Sequence, residues 1–320
     1  YNGIKFFDKN GCKLPDAVED RIEEIIRNGD PNMKFPVGDR VGRPVRQRNA
    51  QRRYIDFVKE TTGVRLDGLH IVVDCAQGAS SMVAPTALSE LGAVVSAYYH
   101  EPDGTNINEN CGSTHPERLC ELVRELGADV GLAFDGDADR LIAVDERGQI
   151  VNGDQVMCIC AAHLKSQGRL RNNTLVTTIM SNMGLDLALK KLGIKQVKTK
   201  VGDRYVLENM LANNYNLGGE QSGHVIFLDY NTTGDGLITA LQLLTGMVES
   251  KKSLSRLSEV MEIMPQAQYV AHVSDARKYD FDKDETIVAA IHELEKKYEG
   301  RGRVLVRASG TEPYVRIMIE

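Results

Sequence analysis

The chain has 320 residues, of which 42% are hydrophobic and 26% charged, so it is long enough to bury the cores of two or more domains without disulfide staples. Its formal net charge of −6 argues against a nucleic-acid binder, and no run of about 18 apolar residues predicts a membrane span. The six cysteines lack a zinc-ligand spacing, and no signal peptide is visible, so we expect reduced thiols and a cytoplasmic protein.

In chain order, short apolar runs alternate with helical stripes, a pattern typical of α/β layers with parallel or mixed sheets. We expect strands at residues 4–7, 69–74, 93–99, 130–134, 141–144, 174–179, 196–201, 304–306 and 314–319. We expect helices at residues 84–91, 117–126 and 185–192, each followed by a glycine that suits the C′ position, and further helices after Gly202, from Asp235 and around Ile287–Leu294. The arginines between residues 43 and 53 are interpreted as a solvated linker face, the alternative being a contact for an anionic ligand or partner.

The most informative stretch is FDGDADR, residues 134–140, which lies between two predicted strands. Asp135, Asp137 and Asp139 place three anions within five residues, an arrangement that is unfavourable unless a cation neutralises them. Small spacers let the carboxylates converge, and an all-oxygen donor set favours Mg²⁺ before Ca²⁺. Arg140 adds a cationic fork suited to a phosphate beside the metal. The alternative is an ordinary solvated turn.

A glycine-framed loop, residues 218–224, carries Glu220, Gln221, Ser222 and His224. Carboxylate, amide and hydroxyl groups offer the hydrogen bonds that a polyhydroxylated ligand needs. His224 is a candidate acid or base, although a lone histidine is more often structural.

Two further loops combine cationic, hydroxyl and backbone N–H groups, which is the chemistry of an anion site. The first opens a helix with Gly202, Asp203 and Arg204. The second follows a strand and carries Arg307, Ser309, Gly310 and Thr311. An ordinary polar turn is the alternative for the second loop.

Together these segments resemble the α-D-phosphohexomutase superfamily, and most closely its phosphoglucosamine mutase branch. NGIKFF (residues 2–7) resembles the stretch after that family's catalytic serine loop, DGDADR its metal loop, GDRY and GEQSGH its sugar-specificity loops, and RASGTEP its phosphate loop. The resemblance covers the whole chain in order and implies four domains around one cleft: 1–49, a remnant of the first α/β domain with a linker; 50–149, a second α/β domain; 150–263, a third; and 264–320, a smaller, incomplete α+β domain.

The resemblance implies conversion of glucosamine 6-phosphate to glucosamine 1-phosphate, through a phosphoserine and a bisphosphorylated sugar that also serves as activator. It assigns the aspartates to Mg²⁺, and Lys5, Arg140 and His224 to catalysis. It assigns the sugar to Gly202, Asp203, Arg204, Glu220, Gln221 and Ser222, and the second phosphate to Arg307, Ser309, Gly310 and Thr311. The nucleophilic serine would precede Tyr1, so we expect this chain alone to be inactive.

Three alternatives remain open. A phosphoglucomutase or phosphomannomutase would use the same machinery, but relatives acting on glucose or mannose phosphates tend to carry Met or Glu where this chain has Gln221. An aspartyl-phosphate phosphatase would use Asp135 as nucleophile, although Asp139 fits a metal triad better. A sugar-phosphate-binding fragment would bind without turnover. Dimers are common among bacterial relatives in the family, but no interface is legible in the sequence.

Overall fold

The computed structural model describes residues 5–30, 32–274, 277, 279–299, 301–309 and 313–320. Its helices are α1 (Asp16–Asn28), α2 (Ala50–Glu60), α3 (Ala84–Glu90), α4 (Glu117–Leu126), α5 (Gly153–Ser166), α6 (Met183–Leu192), α7 (Asp203–Asn213), α8 (Gly236–Ser250), α9 (Leu254–Ser258) and α10 (Glu285–Tyr298). Its strands are β1 (His70–Asp74), β2 (Val94–Tyr98), β3 (Val130–Phe134), β4 (Leu141–Asp145), β5 (Ile150–Val151), β6 (Thr174–Thr178), β7 (Lys195–Thr199), β8 (Leu217–Gly219), β9 (Val225–Phe227), β10 (Ala267–His272), β11 (Val304–Ala308) and β12 (Tyr314–Ile319).

The first sheet has five strands in the order β2-β1-β3-β4-β5. Strands β2, β1 and β3 are parallel, and β4 and β5 continue the sheet in antiparallel pairing. Every residue of β3 and β4 is buried, as expected for central strands covered on both faces. The acidic loop connects these two strands, so it emerges from the most rigid part of the sheet.

The second sheet repeats this arrangement with four strands in the order β7-β6-β8-β9. Strands β7, β6 and β8 are parallel, and β9 is antiparallel to β8. The loop of residues 220–224 connects β8 to β9, just as the acidic loop connects β3 to β4. Both candidate loops therefore occupy the same topological position, beyond the carboxyl end of a buried strand.

The two sheets share one hydrophobic core. A single cluster of buried side chains includes Phe134 and Leu141 beside the first sheet, Leu175 and Leu217 of the second, and Leu241 of α8. Helix α8 is apolar around almost its whole circumference because it packs between other elements. The loops at the ends of the two sheets are consequently held in a fixed relation.

The third sheet is smaller and antiparallel, in the order β10-β12-β11, with α10 packed against β11. Its residues are less buried than those of the first two sheets, with Val315 and Met318 the most enclosed of β12. In the part of the chain that the structure describes, no helix is both long enough and apolar enough to cross a membrane.

Most strands and helices lie where the sequence predicts them, and the α/β architecture is confirmed. The strand predicted at residues 4–7 is wrong for the residues described, 5–7, because only Phe7 pairs, in an isolated bridge with Lys13. Phe6 and Phe7 are 49% and 44% exposed, so the apolar run does not enter a core. The sequence analysis did not predict helices α1, α2, α5 and α9 or the short strands β5, β8 and β9. Helix α2 contains two of the arginines interpreted as linker.

Candidate active site

The three aspartates of the acidic loop converge. Asp135, Asp137 and Asp139 each offer a carboxylate oxygen, and these atoms all lie within 4.8 Å of one another. The side chains of Asp135 and Asp139 are 14% and 18% exposed. Burial, reinforced by the charge of Asp139, raises the pKa of Asp135 to about 7. Such a cluster is stabilised by a positive charge.

A hard divalent cation fits this donor set, because all three ligands are carboxylate oxygens. Lys5 approaches the same oxygens, with its Nζ donating to Asp137 Oδ2 at 2.5 Å and to Asp139 Oδ2 at 2.9 Å. Partial burial alone would lower the pKa of Lys5, but the two carboxylates outweigh burial and raise it above its usual range. Lys5 is therefore protonated at neutral pH.

The backbone of the acidic loop has little freedom. The N–H of Arg140 donates to Asp135 Oδ1 at 3.0 Å, and Ala138 adopts a left-handed φ of 61°. A Cβ on Gly78 would lie 2.2 Å from the carbonyl oxygen of Gly136, so the loop after β1 supports the acidic loop by direct backbone packing. Only glycine permits so close an approach.

A buried carboxylate organises the loop after β1. Asp74 is 1% exposed and accepts hydrogen bonds at 2.8 Å from the N–H groups of Ala76 and Gly112. Burial raises its pKa to about 6 even though both hydrogen bonds favour the charged form. Asp74 thus holds the backbone that carries Gly78.

The acidic loop and the loop of residues 220–224 are joined backbone to backbone. Arg140 and His224 form an isolated antiparallel bridge, and the N–H of Leu141 donates to the carbonyl oxygen of Gly223 at 3.0 Å. Glu220 extends the connection, because its Oε1 accepts a hydrogen bond from the N–H of Gly202 at 3.0 Å. Three predicted loops therefore meet at one place.

His224 is the buried centre of this meeting point, at 3% exposed. Its Nε2 accepts the N–H of Gly234 at 3.2 Å, which leaves the proton of a neutral ring on Nδ1. The same Nε2 lies 3.8 Å from Asp139 Oδ2 and 3.6 Å from Asp203 Oδ2. Burial lowers the pKa of His224 despite these carboxylates, so the ring is neutral at physiological pH.

A short hairpin places Lys13 beside Asp203, the first residue of α7. Lys13 Nζ donates to Asp203 Oδ2, and the hydroxyl of Thr232 donates to the carbonyl oxygen of Gly11 in the same hairpin. Burial raises the pKa of Asp203, but Lys13 and the other charges around it outweigh that effect and lower it. Lys13 was not identified from the sequence, because Lys13 and Asp203 are far apart along the chain.

The predicted sugar contacts Arg204, Ser222 and Gln221 have different surroundings. The guanidinium of Arg204 pairs with Asp16 and, at 2.9 Å, with Glu208, so it is not brought to the aspartates. Ser222 is exposed at the tip of its loop, while the backbone carbonyl of Gln221 accepts the N–H of Gly153 at 3.1 Å. The side chain of Gln221 remains available in a half-buried position.

The predicted phosphate site begins with Arg307, whose charge interacts with that of Glu220 in the sugar loop. Burial is the main cause that lowers the pKa of Arg307, followed by the charge of Arg316, while the charge of Glu220 opposes both. Arg307 and Arg316 stand directly opposite on β11 and β12. Ser309 is 4% exposed. The other predicted members, Gly310 and Thr311, lie outside the described residues.

Arg316 was not identified as a site residue from the sequence, because there it looks like the polar member of an alternating strand. Two like charges directly opposite on neighbouring strands destabilise a hairpin. An anion between them removes that cost, and this signal appears only when the register Arg307↔Arg316 is known.

Protein-family comparison divides the chain among four phosphoglucomutase/phosphomannomutase descriptions. Alpha/beta/alpha domain I matches residues 1–33, domain II residues 52–148, domain III residues 152–264, and the C-terminal domain residues 271–320. Among solved structures, a phosphoglucomutase/phosphomannomutase family protein from Burkholderia thailandensis has a TM-score of 0.68 at 22% identity, over 84% of this chain and 60% of that one. An Aspergillus fumigatus N-acetylphosphoglucosamine mutase, solved with GlcNAc-6P and magnesium, has a TM-score of 0.66 at 19% identity, over 84% and 66%. At these identities the likeness concerns the fold.

Curated relatives are much more similar in sequence. A phosphoglucosamine mutase of Ruminiclostridium cellulolyticum is 57% identical over all 320 residues, which span 71% of that relative. Another, from Thermoanaerobacter sp., is 56% identical over the same lengths. Because the matches run through every loop described above, the chain belongs to the phosphoglucomutase/phosphomannomutase family of α-D-phosphohexomutases, alongside its phosphoglucosamine mutases.

Proposed function

We propose that the protein interconverts glucosamine 6-phosphate and glucosamine 1-phosphate, through a bisphosphorylated sugar that also serves as activator. The observation that carries this proposal is the backbone bridge between Arg140 and His224, which joins the aspartate cluster to the Glu220 loop. The phosphoryl-binding centre and the hydroxyl-binding loop are therefore directly adjacent. Phosphoryl transfer depends mainly on such positioning and on charge neutralisation.

In this proposal Asp135, Asp137 and Asp139 hold Mg²⁺, which when bound neutralises charge on the transferring phosphoryl group. That group is carried by a serine outside these 320 residues. As the sugar hydroxyl oxygen bonds to phosphorus, the serine P–O bond breaks and the hydroxyl proton passes to solvent, from which Lys5 recovers the proton that it gives to the serine oxygen. Lys5, protonated beside Asp137 and Asp139, supplies positive charge and the proton for the departing serine oxygen.

In this scheme the neutral ring of His224 holds neighbouring groups in place and does not transfer a proton. Its Nε2 is occupied by the N–H of Gly234, and it packs between Asp139 and Asp203. Glu220 and Ser222 bind sugar hydroxyls, and Asp203 with Gln221 contributes to the preference for the amino sugar. Gly202 contributes the backbone N–H that holds Glu220 in place.

Arg307 and Ser309 bind the phosphate that does not react, together with Arg316. Two guanidinium groups directly opposite one another on β11 and β12 suit a dianion that both can bind. The influence of Glu220 on Arg307 supports an arrangement in which the sugar lies between the two loops. Gly310 and Thr311 stay assigned to this phosphate site by the family resemblance alone.

The test is a comparison of substrates with the full-length protein. We expect ³¹P NMR to show glucosamine 6-phosphate converting to the 1-phosphate, with kcat/KM higher than for glucose or mannose 6-phosphate. A higher kcat/KM for glucose or mannose would replace the proposal by a phosphoglucomutase or phosphomannomutase. Release of inorganic phosphate in step with substrate loss would identify a phosphatase instead.

We also propose a cytoplasmic location, supported by six free cysteines of which five are buried. Thiols kept reduced are the rule in that compartment, and cell fractionation tests the location. A homodimer, which is common among bacterial relatives, stays a prediction that light scattering at several concentrations would check.

A further inference from the structure

The hairpin of β11 and β12 presents one face with a charged pair at each end. Arg303 lies one residue before β11 and continues its alternation, so Arg303, Leu305 and Arg307 lie on the same side of the hairpin. Arg307 is paired with Arg316 at the cleft end of the hairpin. At the other end, Arg303 is paired with Glu320 through reciprocal backbone hydrogen bonds of 2.9 and 3.0 Å.

The guanidinium of Arg303 connects this hairpin to the α/β unit that contains the second sheet. Its Nε donates to Glu320 Oε2 at 2.6 Å, while its two terminal nitrogens donate to the backbone carbonyls of Ile179, at 3.0 Å, and Ser181. A planar fork is suited to holding three acceptors at once. These two carbonyls belong to the segment that leads from β6 into α6.

Glu320 completes the contact from the same side. Its side chain is 0% exposed, and its Oε1 accepts the N–H of Met183, the first residue of α6, at 2.8 Å. The carboxylate therefore caps a helix terminus while it neutralises Arg303. Both of its oxygens have partners, which is the condition under which a buried charged pair is tolerated.

The segment between β6 and α6, which Arg303 contacts, is itself held by further hydrogen bonds. Buried Asp154 accepts the N–H of Asn182 at 2.8 Å. The side chain of Asn182 in turn donates to the carbonyl of Met264 at 3.0 Å and accepts its N–H at 2.9 Å. A Cβ on Gly184 would lie 1.8 Å from the carbonyl oxygen of Glu262, so the connection to the third sheet also packs tightly here.

We propose that Arg303 and Glu320 are positioning residues that set the orientation of the β11–β12 hairpin, and with it the place of Arg307 opposite Glu220. Arg303 and Arg307 are four residue steps apart in extended backbone, a span of about 13 Å. A tilt at the Arg303 end is therefore transmitted to the phosphate-binding end. This role rests on the proposed function of Arg307 and Ser309.

The first test measures orientation without using activity. Spin labels are attached to Lys190→Cys on α6 and Glu293→Cys on α10 of the full-length protein, in a Cys12→Ser background. We expect the inter-label distance distribution to broaden or shift in Arg303→Met and in Glu320→Gln. Arg301→Met is the matched control, since Arg301 is exposed and its guanidinium donates to the carbonyl of Lys297 in the nearby helix α10. An unchanged distribution in both variants overturns the proposal.

The second test separates positioning from chemistry. A smaller fraction of correctly oriented hairpins lowers apparent affinity by that fraction, so we expect KM for the sugar phosphate to rise about ten-fold. The same variants should keep kcat within about three-fold, while Arg301→Met changes neither. A fall in kcat with KM unchanged contradicts the positioning role.

The two tests distinguish failure of the positioning role from failure of the proposed function. If Arg303→Met does not fold, Glu320→Gln and Arg303→Lys are judged by the same two criteria, because each preserves shape and removes one part of the contact. If the distances change but no variant or parent protein shows mutase activity, the proposed function fails and the coupling of hairpin to α6 stands.

Discussion

Lys5 and a divalent cation require the same carboxylate oxygens. The Nζ of Lys5 lies 2.5 Å from Asp137 Oδ2 and 2.9 Å from Asp139 Oδ2. A bound cation therefore displaces the ammonium or shares these oxygens with it, and either arrangement weakens the binding of the metal. Lys5 thus acts in two opposed ways, as a competitor before the metal binds and as a source of positive charge for the reaction.

Replacing Lys5 by methionine should separate these two actions. We expect Lys5→Met to bind Mg²⁺ about ten-fold more tightly in calorimetric titration, because three anions lose their internal counter-charge. Turnover in the full-length protein should fall by about 10² or more, the usual effect of losing an acid catalyst. Lys9→Met, at an exposed position of the same segment, is the control. Weaker Mg²⁺ binding by Lys5→Met would contradict the shared site.

Asp74 gives stability a dependence on pH. Its native pKa, about 6, is higher than that of an exposed aspartate, so the native state binds the proton more tightly than the unfolded state does. Native stability from this group is therefore greatest below about pH 4 and declines as the pH rises through about 6. In urea unfolding, this group should make the parent protein lose about 2 kcal/mol between pH 4.5 and 6.5.

Asp74→Asn cannot titrate, so it should lack this part of the pH dependence. The measurement is the difference between the unfolding free energies of parent and variant at the two pH values. Asp67→Asn is the control, because that carboxylate is exposed and forms an ion pair with the equally exposed Arg65. Equal slopes for the parent and Asp74→Asn would show that the carboxylate is ionised throughout this range in the native state.

At the level of elements, the β11–β12 hairpin places the like charges of Arg307 and Arg316 directly opposite one another. We expect Arg316→Met to raise KM for the sugar phosphate at least about ten-fold, since one of two guanidinium groups is lost. Inorganic phosphate should raise the Tm of the parent protein, and should raise that of Arg316→Met much less. Arg301→Met serves again as control. A phosphate-dependent Tm that survives in Arg316→Met would remove Arg316 from the site.

Local patterns explain which elements were predictable. Helix α4 ends at Gly127 as expected, because a glycine with left-handed φ follows its apolar stripe. Strands β3 and β4 are continuous apolar runs, and the aspartates between them could be grouped from spacing alone. Among the described residues, the apolar run at residues 5–7 has the same local pattern but pairs only through Phe7, in a bridge with Lys13. Pairing therefore decides the outcome, and pairing is not visible in a local pattern.

Long-range contacts explain what the sequence could not give in the site. The loops of the aspartates, Glu220 and Gly202 were each identified by their chemistry, because charged and polar residues between glycines stand out. Lys13 and Arg316 were missed because each acquires its meaning from a partner in another element. Arg204 was expected at the sugar, but the helix α1 that supplies its partner Asp16 was not predicted.

Over the whole molecule, burial is uneven. One hydrophobic cluster contains members of both α/β sheets, whereas the described residues from 267 onwards contribute none to any of the three clusters. Tyr54 of α2 adds a polar link between these units, donating at 2.9 Å to Asp235 at the start of α8. Residues 50–264 should therefore behave as one cooperative unit.

Hydrogen exchange should detect this division in the 320-residue chain. We expect amides of β10, β11 and β12 to exchange through openings of lower free energy than those of β3 and β6, which should share one value. Mass spectrometry of peptic fragments under increasing urea makes the measurement. Different free energies for β3 and β6 would contradict a common core. The domain boundaries predicted at residues 49/50, 149/150 and 263/264 stay predictions that the same data would test.

The contact of Gly78 with Gly136 restricts how this scaffold can acquire new substrates. A Cβ at Gly136 would meet Ile107 and Asn108 within 2.8 Å, and one at Gly78 would meet the Gly136 backbone. Directed evolution that randomises the acidic loop should therefore yield mainly inactive clones. Ser222 is exposed and Gln221 only half-buried, so altered hexose selectivity should be recovered there.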